Sequence, residues 1–344
     1  MKILITGGCG FVGSNLAIKL KNKYPHMKIV CMDNLKRRGS EYNIKRLINN
    51  NIEFIHGDVR CKEDFKNIKF SLMIECSAEP SVLAGINNSP MYVLNTNLVG
   101  TMNCLESVRE NKANIIFLST SRVYSIDKIN NMEYTKTHTR FDNPSCYGIT
   151  ENFSTDGIKS MYGATKLASE MLINEYRAAY KIGTIINRCG IIAGPWQMGK
   201  IDQGVMTLWV LNHMLCKSLS YIGYEGKGFQ VRDFIHIDDL FNLIDKQISN
   251  FDKLNGELFN VGGGYANSFS LVELTNVCEE IIQHKIKIYA DTATRPNDIK
   301  WYITNYSKVY SMCDWQPKYN LDKTVKDIYD WLFKYKNDLK GILW

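Results

Sequence analysis

Short apolar runs bounded by polar residues recur along the first half of the chain: KILIT (Lys2 to Thr6), KIVCM (Lys28 to Met32), IEFIH (Ile52 to His56), LMIEC (Leu72 to Cys76), IIFLS (Ile115 to Ser119) and TIINR (Thr184 to Arg188). Runs this short and this apolar suit strands buried on both faces. Amphipathic stretches separate them, and that alternation predicts βαβ units in a parallel sheet covered by helices on both sides. After Arg188 the rhythm breaks at AGPWQMG, and later elements are irregularly spaced. GFQVRDFIHIDDL (Gly228 to Leu240) and ELFNVGGG (Glu257 to Gly264) read as excursions back toward the sheet. The expected architecture is a doubly wound α/β domain over residues 1–189 with return segments near 228–261, and a smaller α/β substrate lobe from 190–227 and 262–344.

Composition narrows the function classes. The 344 residues are 45% hydrophobic, enough for a sizeable core or two unequal lobes. The net charge of +7 is scattered rather than clustered, which argues against nucleic acid and suits a small anionic ligand such as a nucleotide diphosphate. Ten cysteines lie far apart with no C-x-x-C pair, so neither a disulfide framework nor a metal site is expected. No apolar run reaches the roughly 18 residues needed to span a bilayer, and the N-terminus reads as a strand. A cytoplasmic protein with no membrane partner is the expectation.

Candidate chemistry begins directly after the first strand. In TGGCGFVGSNLAIKL, Gly7, Gly10 and Gly13 are spaced G-x-x-G-x-x-G, with Gly8 giving an overlapping G-x-G-x-x-G. Glycines there permit a tight turn, close approach of a pyrophosphate to the backbone, and close packing of helix on strand. The helix N-terminus then holds the phosphates. Asp33 follows Gly13 by twenty residues at the end of the second strand, where a carboxylate accepts from ribose hydroxyls. This is the pattern of a Rossmann-like dinucleotide site. Asp33 favours NAD, whereas Arg37 and Arg38 are placed to pair with the 2′-phosphate of NADP. At the end of the third strand, Asp58 is placed to reach the adenine amino group and Val59 to pack on its ring; the alternative for Asp58 is a helix N-cap.

The pattern Tyr-x-x-x-Lys occurs four times. Tyr24/Lys28 spans Pro25 and runs into a strand, Tyr124/Lys128 follows a strand as loop, and Tyr319/Lys323 lies at the start of a late amphipathic helix. Only Tyr162/Lys166 opens a long helical pattern, MYGATKLASEMLINEYRAAY, in which Leu167, Met171, Leu172 and Tyr176 recur with helical period toward a core. An i, i+4 spacing on a helix stacks phenol and ammonium on one face. A phenol ionises near pH 10 in water, and an adjacent cation favours the phenolate that a base requires. Thr120 and its neighbouring hydroxyls in LSTSRVY, at the end of the fifth strand, are placed to relay the proton.

With TGGCGFVG, Asp58, LSTSRVY, YGATK and VRDFIHIDDL together, nearly the whole chain resembles the extended short-chain dehydrogenase/reductase family of nucleotide-sugar enzymes. The resemblance implies Tyr162 as acid/base catalyst, Lys166 as its electrostatic partner and ribose ligand, and Thr120 as the hydroxyl bridging substrate and tyrosine. It implies a cofactor site of Gly7, Gly10, Phe11, Val12, Gly13, Asp33, Asn34, Arg38, Asp58, Val59, Ala78, Asn97, Ser119, Tyr162 and Lys166. It implies a nucleoside-diphosphate sugar in the second lobe, with a CDP-hexose favoured. Arg232 and Arg295 would clamp the diphosphate, and Trp196, Gln197 and Gln203 would lie near the nucleotide or sugar. Surface ion pairs are the alternative for the arginines, and lobe packing for Trp196. Relatives pair the helices corresponding to Met91–Arg109 and Met161–Tyr180, so a homodimer is implied.

The activity implied is epimerisation through a transient keto-sugar. Glu79 and Pro80 stand where many epimerases carry small residues, and Ile191 where an Asn commonly contacts the nucleotide. Alternatives are a UDP-hexose 4-epimerase, an NADPH-dependent reductase, a 4,6-dehydratase, or a dinucleotide-sensing module without chemistry. Dehydratases place Asp-Glu directly after the Thr, and this chain has Ser121-Arg122.

Overall fold

The computed structural model describes residues 1–199 and 203–343, which form two compact units. The first comprises Met1–Val123, Ser160–Arg188 and Phe241–Phe259. Five strands, β1 (Lys2–Thr6), β2 (Lys28–Asp33), β3 (Glu53–His56), β4 (Leu72–Glu75) and β5 (Asn114–Thr120), pair in parallel in the order β5-β4-β1-β2-β3. The strands Thr184–Cys189 and Leu258–Val261 extend the sheet beyond β5 to seven. Ile3, Leu4 and Ile5 are wholly buried, as expected for a strand covered on both faces. The chain leaves β1 on one side toward β2 and β3, and returns on the other through β4 and β5. The sheet order therefore reverses between β1 and β4, and the carboxyl ends of those strands are where such sheets hold ligands.

The second unit comprises Tyr124–Lys159, Cys189–Leu240 and Asn260 to the end of the described chain. Its central strand, Val231–His236, pairs in parallel with Ile191–Ala193 and Trp301–Tyr302 and antiparallel with Ser268–Ser270. The helices Val205–Met214, Leu271–Ile282 and Leu321–Lys334 pack together over a core that includes Trp209, Phe234, Phe269, Val325 and Trp331.

Two boundaries differ from the expectation. Residues 124–159 group with the second unit, because Ile149 bridges Thr304 and the Phe141 amide donates to the Phe229 carbonyl. Gly228–Leu240 does not return to the large sheet, because its strand finds its partners inside the second unit. Of the two anticipated excursions, only Leu258–Val261 joins that sheet, and it does so at the edge. Among the described residues no helix is long and apolar enough to cross a membrane, and all ten cysteines are thiols.

Candidate active site

The loop after β1 is held by backbone and by Asp33. Gly7 takes φ +63°, and a Cβ there would lie 2.8 Å from the Cys76 carbonyl oxygen. A Cβ on Gly13 would lie 2.3 Å from the Gly7 carbonyl oxygen, so the helix α1 (Phe11–Lys23) reaches the loop only because position 13 lacks one. Gly10 is the N-cap of α1, no side chain caps it, and the first turn carries no acidic residue. That leaves the Phe11, Val12 and Gly13 amides and the positive helix end suited to a pyrophosphate. The Cys9 amide donates to Asp33 Oδ2 at 2.9 Å, and the Leu35 amide to Asp33 Oδ1 at 2.8 Å. Burial raises the Asp33 pKa, against the pull of the Leu35, Cys9 and Gly10 amides. The Cys9 thiol is pushed up to about 12 by burial and by Asp33, so it stays neutral.

The rim at β3 is more occupied than the sequence indicates. Asp58 accepts from Asn34 Nδ2 at 2.9 Å and from the Arg60 guanidinium at 2.6 Å. Burial opposes its charge, but the bonds from Arg60 and Asn34 win and pull the carboxyl down to about 2. It is not a helix N-cap; Cys61 caps the short helix that follows. Arg60 and Lys36 both lie against the Tyr92 ring, at 5.2 and 5.8 Å from its centroid. Val59 is turned into the core, where Gly100 makes room for it. Arg38 is exposed and Ala78 half-buried.

Asn97 lies in a π-helical turn, Asn95–Val99, within the helical stretch that begins at Met91. Such bulges are frequent at functional sites. Its Oδ1 accepts from the Glu79 amide at 2.8 Å, and its Nδ2 donates to the Glu79 carbonyl and to Thr165 Oγ1. Both amide protons are thus used within the protein. Asn97 fixes the loop after β4 to the helix Met161–Tyr180.

That helix starts at Ser160, whose hydroxyl accepts from the Gly163 amide. Leu172 and Tyr176 pack against the core as anticipated, but most of the fully buried positions are polar. Thr165, Lys166, Ser169 and Glu170 are buried, Leu167, Leu172 and Tyr176 are half-buried, and Met171 is 64% exposed. Partners explain the burial of these polar groups. Lys166 Nζ lies 3.3 Å from Glu75 Oε2 and 4.2 Å from the Phe117 ring centroid. Glu170 accepts from Arg188 Nη2 at 2.7 Å and Nε at 3.1 Å, and from the Ser119 hydroxyl. Burial raises the Glu75 pKa, against the pull of Lys166. Thr120, at the end of β5, is 6% exposed and its Oγ1 accepts from the Arg122 amide. The helix packs directly on β5 and the turn after it, which brings Tyr162, Lys166, Ser119 and Thr120 into one neighbourhood.

Glu75, Glu170 and Arg188 were not singled out from the sequence. Each had a signal: a lone charge inside the apolar runs LMIEC and TIINR, and a carboxylate that extends the four-residue spacing from Tyr162 and Lys166. The other Tyr-x-x-x-Lys pairs have different uses. Tyr24 caps α1, Tyr124 is buried and donates to Asn260 Oδ1, and Tyr319 stacks on His236. Lys128 lies in a short helix, Ile126–Asn130, rather than in loop.

The anticipated substrate residues all lie in the second unit. Arg232 donates to Asp298 Oδ1 at 2.7 Å and to the Ile299 and Val231 carbonyls. Arg295 is half-buried on the same segment, and the Asp298 amide donates to its carbonyl. Trp196, at φ +73°, packs on Trp331 and Tyr335 with ring centroids 5.7 and 4.7 Å apart, as lobe packing requires. Gln197 is tied to the Ile192 carbonyl and Thr207. Gln203 is half-buried, and residues 200–202 of GPWQMGKIDQG lie outside the described residues.

The model of the NAD dependent epimerase/dehydratase family matches residues 3–262. Similar curated proteins include the CDP-paratose 2-epimerase of Salmonella typhi, 32% identical over 96% of this chain and 99% of the relative. The dTDP-glucose 4,6-dehydratase of Escherichia coli is 25% identical over 99% and 95%. A crystal structure of UDP-glucose 4-epimerase from Thermotoga maritima with UDP-glucose shares the fold, with a TM-score of 0.83 at 23% identity over 98% of this chain and 100% of that one. The glycine loop closed by Asp33, the uncapped α1 and the long helix bearing Tyr162 and Lys166 are accounted for together: the chain belongs to the NAD-dependent epimerase/dehydratase family of enzymes.

Proposed function

We propose that this protein is an NAD-dependent nucleotide-sugar epimerase that takes a CDP-linked 3,6-dideoxyhexose and inverts C2. The observation that carries the substrate is the 32% identity to the CDP-paratose 2-epimerase over 96% of the chain. The Ser121-Arg122 sequence after Thr120 supports epimerisation over dehydration, because water elimination needs a further acid and base there. Asp33 supports NAD over NADP, since a 2′-phosphate would meet a carboxylate.

In this reading the Tyr162 phenolate accepts the proton of the sugar hydroxyl, and the Thr120 hydroxyl holds that oxygen in reach. The Lys166 ammonium, one helical turn from Tyr162, stabilises the phenolate. NAD, which the glycine loop and Asp33 would hold, would supply the hydride acceptor and donor at the sugar carbon. The planar keto-sugar turns over between the two transfers, and Tyr162 hands the proton back, so no net redox occurs. Arg232 and Arg295 hold the diphosphate, for which guanidinium forks are geometrically suited. Arg232 then exchanges its bond to Asp298 for a phosphate oxygen.

The test is proton NMR of the purified enzyme in D2O, without added cofactor, on a panel of CDP-, UDP-, GDP- and dTDP-hexoses. Inversion at C2 of a CDP-3,6-dideoxyhexose without deuterium at that carbon is expected. Turnover only with added NADPH, or water loss with solvent deuterium in the product, replaces this reading by a reductase or a dehydratase.

The same reading includes a cytoplasmic homodimer. Met91, Met102, Met161, Met171 and Tyr180 are 44–64% exposed on two helical stretches that pack against each other. Met171→Glu is expected to shift the protein from dimer to monomer in analytical ultracentrifugation, and an unchanged mass would remove this interface.

A further inference from the structure

We propose that Glu75 is a positioning residue of the active site, the fixed counter-ion that keeps the Lys166 ammonium charged and seated against Phe117. The proposal rests on Tyr162 and Lys166 being the acid/base pair. Glu75 closes β4, Lys166 comes from a helix far along the chain, and their charged atoms meet at 3.3 Å with both side chains 2% exposed. An ammonium this deeply buried and lacking a counter-ion favours its neutral form, because desolvation penalises the charge. The Phe117 face, 4.2 Å from Nζ, adds a cation–π contact but no net charge. The other titratable groups facing Lys166 cannot replace Glu75. Cys104, from the helix Gly100–Asn111, has a thiol that burial holds well above its ordinary range, so it stays neutral. Glu170, one turn along the helix, is committed to Arg188 and Ser119. Tyr162 is the group Lys166 is there to serve.

Two opposite consequences of removing Glu75 are conceivable, and they differ in sign. If Glu75 only dilutes the positive field, its loss strengthens that field and Tyr162 ionises at lower pH. If Glu75 keeps Lys166 charged, its loss removes the cation and Tyr162 ionises at higher pH. The 2% exposure of both groups selects the second, because the desolvation cost of a lone buried ammonium exceeds the weaker, more distant effect of Glu75 on the phenol.

The test is an ultraviolet absorbance titration of tyrosine ionisation in NAD-saturated protein, with Tyr162→Phe as the blank that isolates Tyr162. We expect Glu75→Gln to raise the Tyr162 midpoint by about one pH unit or more, a loss of about ten-fold in phenolate near neutrality. Glu75→Asp, which keeps the charge, should move it far less, and Glu75→Gln should move nothing in a Lys166→Met background. A lowered or unchanged midpoint in Glu75→Gln overturns the proposal, as does the same rise without Lys166. If Glu75→Gln alone does not fold, Lys166→Met is compared with the Glu75→Gln/Lys166→Met double variant: equal midpoints support the proposal and unequal ones overturn it. A wild-type midpoint near 10 would instead remove the acid/base reading of Tyr162, a result distinct from a low midpoint that Glu75→Gln leaves in place.

Discussion

The carboxylate of Asp33, at the end of β2, accepts the backbone N–H of Cys9, in the loop after β1, at 2.9 Å. One side chain thus closes the glycine loop from a neighbouring strand. Asp33→Ala leaves two amides, the buried one of Cys9 and the half-buried one of Leu35, without their acceptor. A cost of about 1–3 kcal/mol is expected, read in isothermal calorimetry as roughly a ten- to hundred-fold loss of NAD affinity. Unchanged affinity would show that Asp33 serves neither loop nor ribose.

Tyr162→Phe removes one hydroxyl from a half-buried position at the head of a helix anchored elsewhere by buried ion pairs. Epimerisation is expected to fall about 10²- to 10⁴-fold while NAD stays bound. Stopped-flow rates and the NAD content of the purified variant check both halves. Loss of bound NAD in parallel with activity would mean that Tyr162 holds cofactor rather than moving a proton.

Arg188 and Glu170 form a buried pair whose carboxylate also accepts from the Ser119 hydroxyl, and removing one partner strands a charge in the interior. Arg188→Met is expected to cost about 3–5 kcal/mol in denaturant unfolding. The double change Arg188→Met/Glu170→Leu should cost clearly less, because no lone charge remains. Equal costs would mean that the pair does not interact.

Asp233 lies in a close knot with Thr304 and the backbone of Gly264, wholly buried, and burial raises its pKa from 3.8 to about 6. A carboxyl raised in the folded state binds its proton more tightly there than in the unfolded chain. Its contribution to stability is therefore complete below about pH 4 and is lost as pH rises through about 6. Asp233→Asn cannot ionise, so its stability relative to wild type should rise by about 3 kcal/mol between pH 4 and 7. Urea unfolding of both proteins across that range checks it, and a difference independent of pH would contradict the raised pKa.

The strands of the large sheet, the glycine loop and the long helix under Tyr162 and Lys166 were legible because each rests on short-range rules. Apolar runs specify buried strands, glycine spacing specifies the loop, and four-residue spacing specifies one helical face. The helix Met161–Tyr180 forms where the pattern places it, yet the pattern gives its buried face only in part: Leu172 and Tyr176 pack against the core and Met171 is exposed. Periodicity sorts residues by polarity, and here polar residues go inside because partners from distant strands satisfy them. The partners of Asn97 were equally hidden, since nothing local shows that its amide is used by Glu79 and Thr165.

The sequence alone determined most of the strands of the large sheet, the glycine loop and the long helix that carries Tyr162 and Lys166, since backbone propensity and side-chain type are properties of neighbouring residues. Only tertiary structure decided that Glu75 meets Lys166, that Arg188 meets Glu170, and that Gly228–Leu240 belongs with the second unit. Those outcomes depend on desolvation and pairing between residues far apart in the chain, and a charge in an apolar run does not reveal its partner until both are buried together.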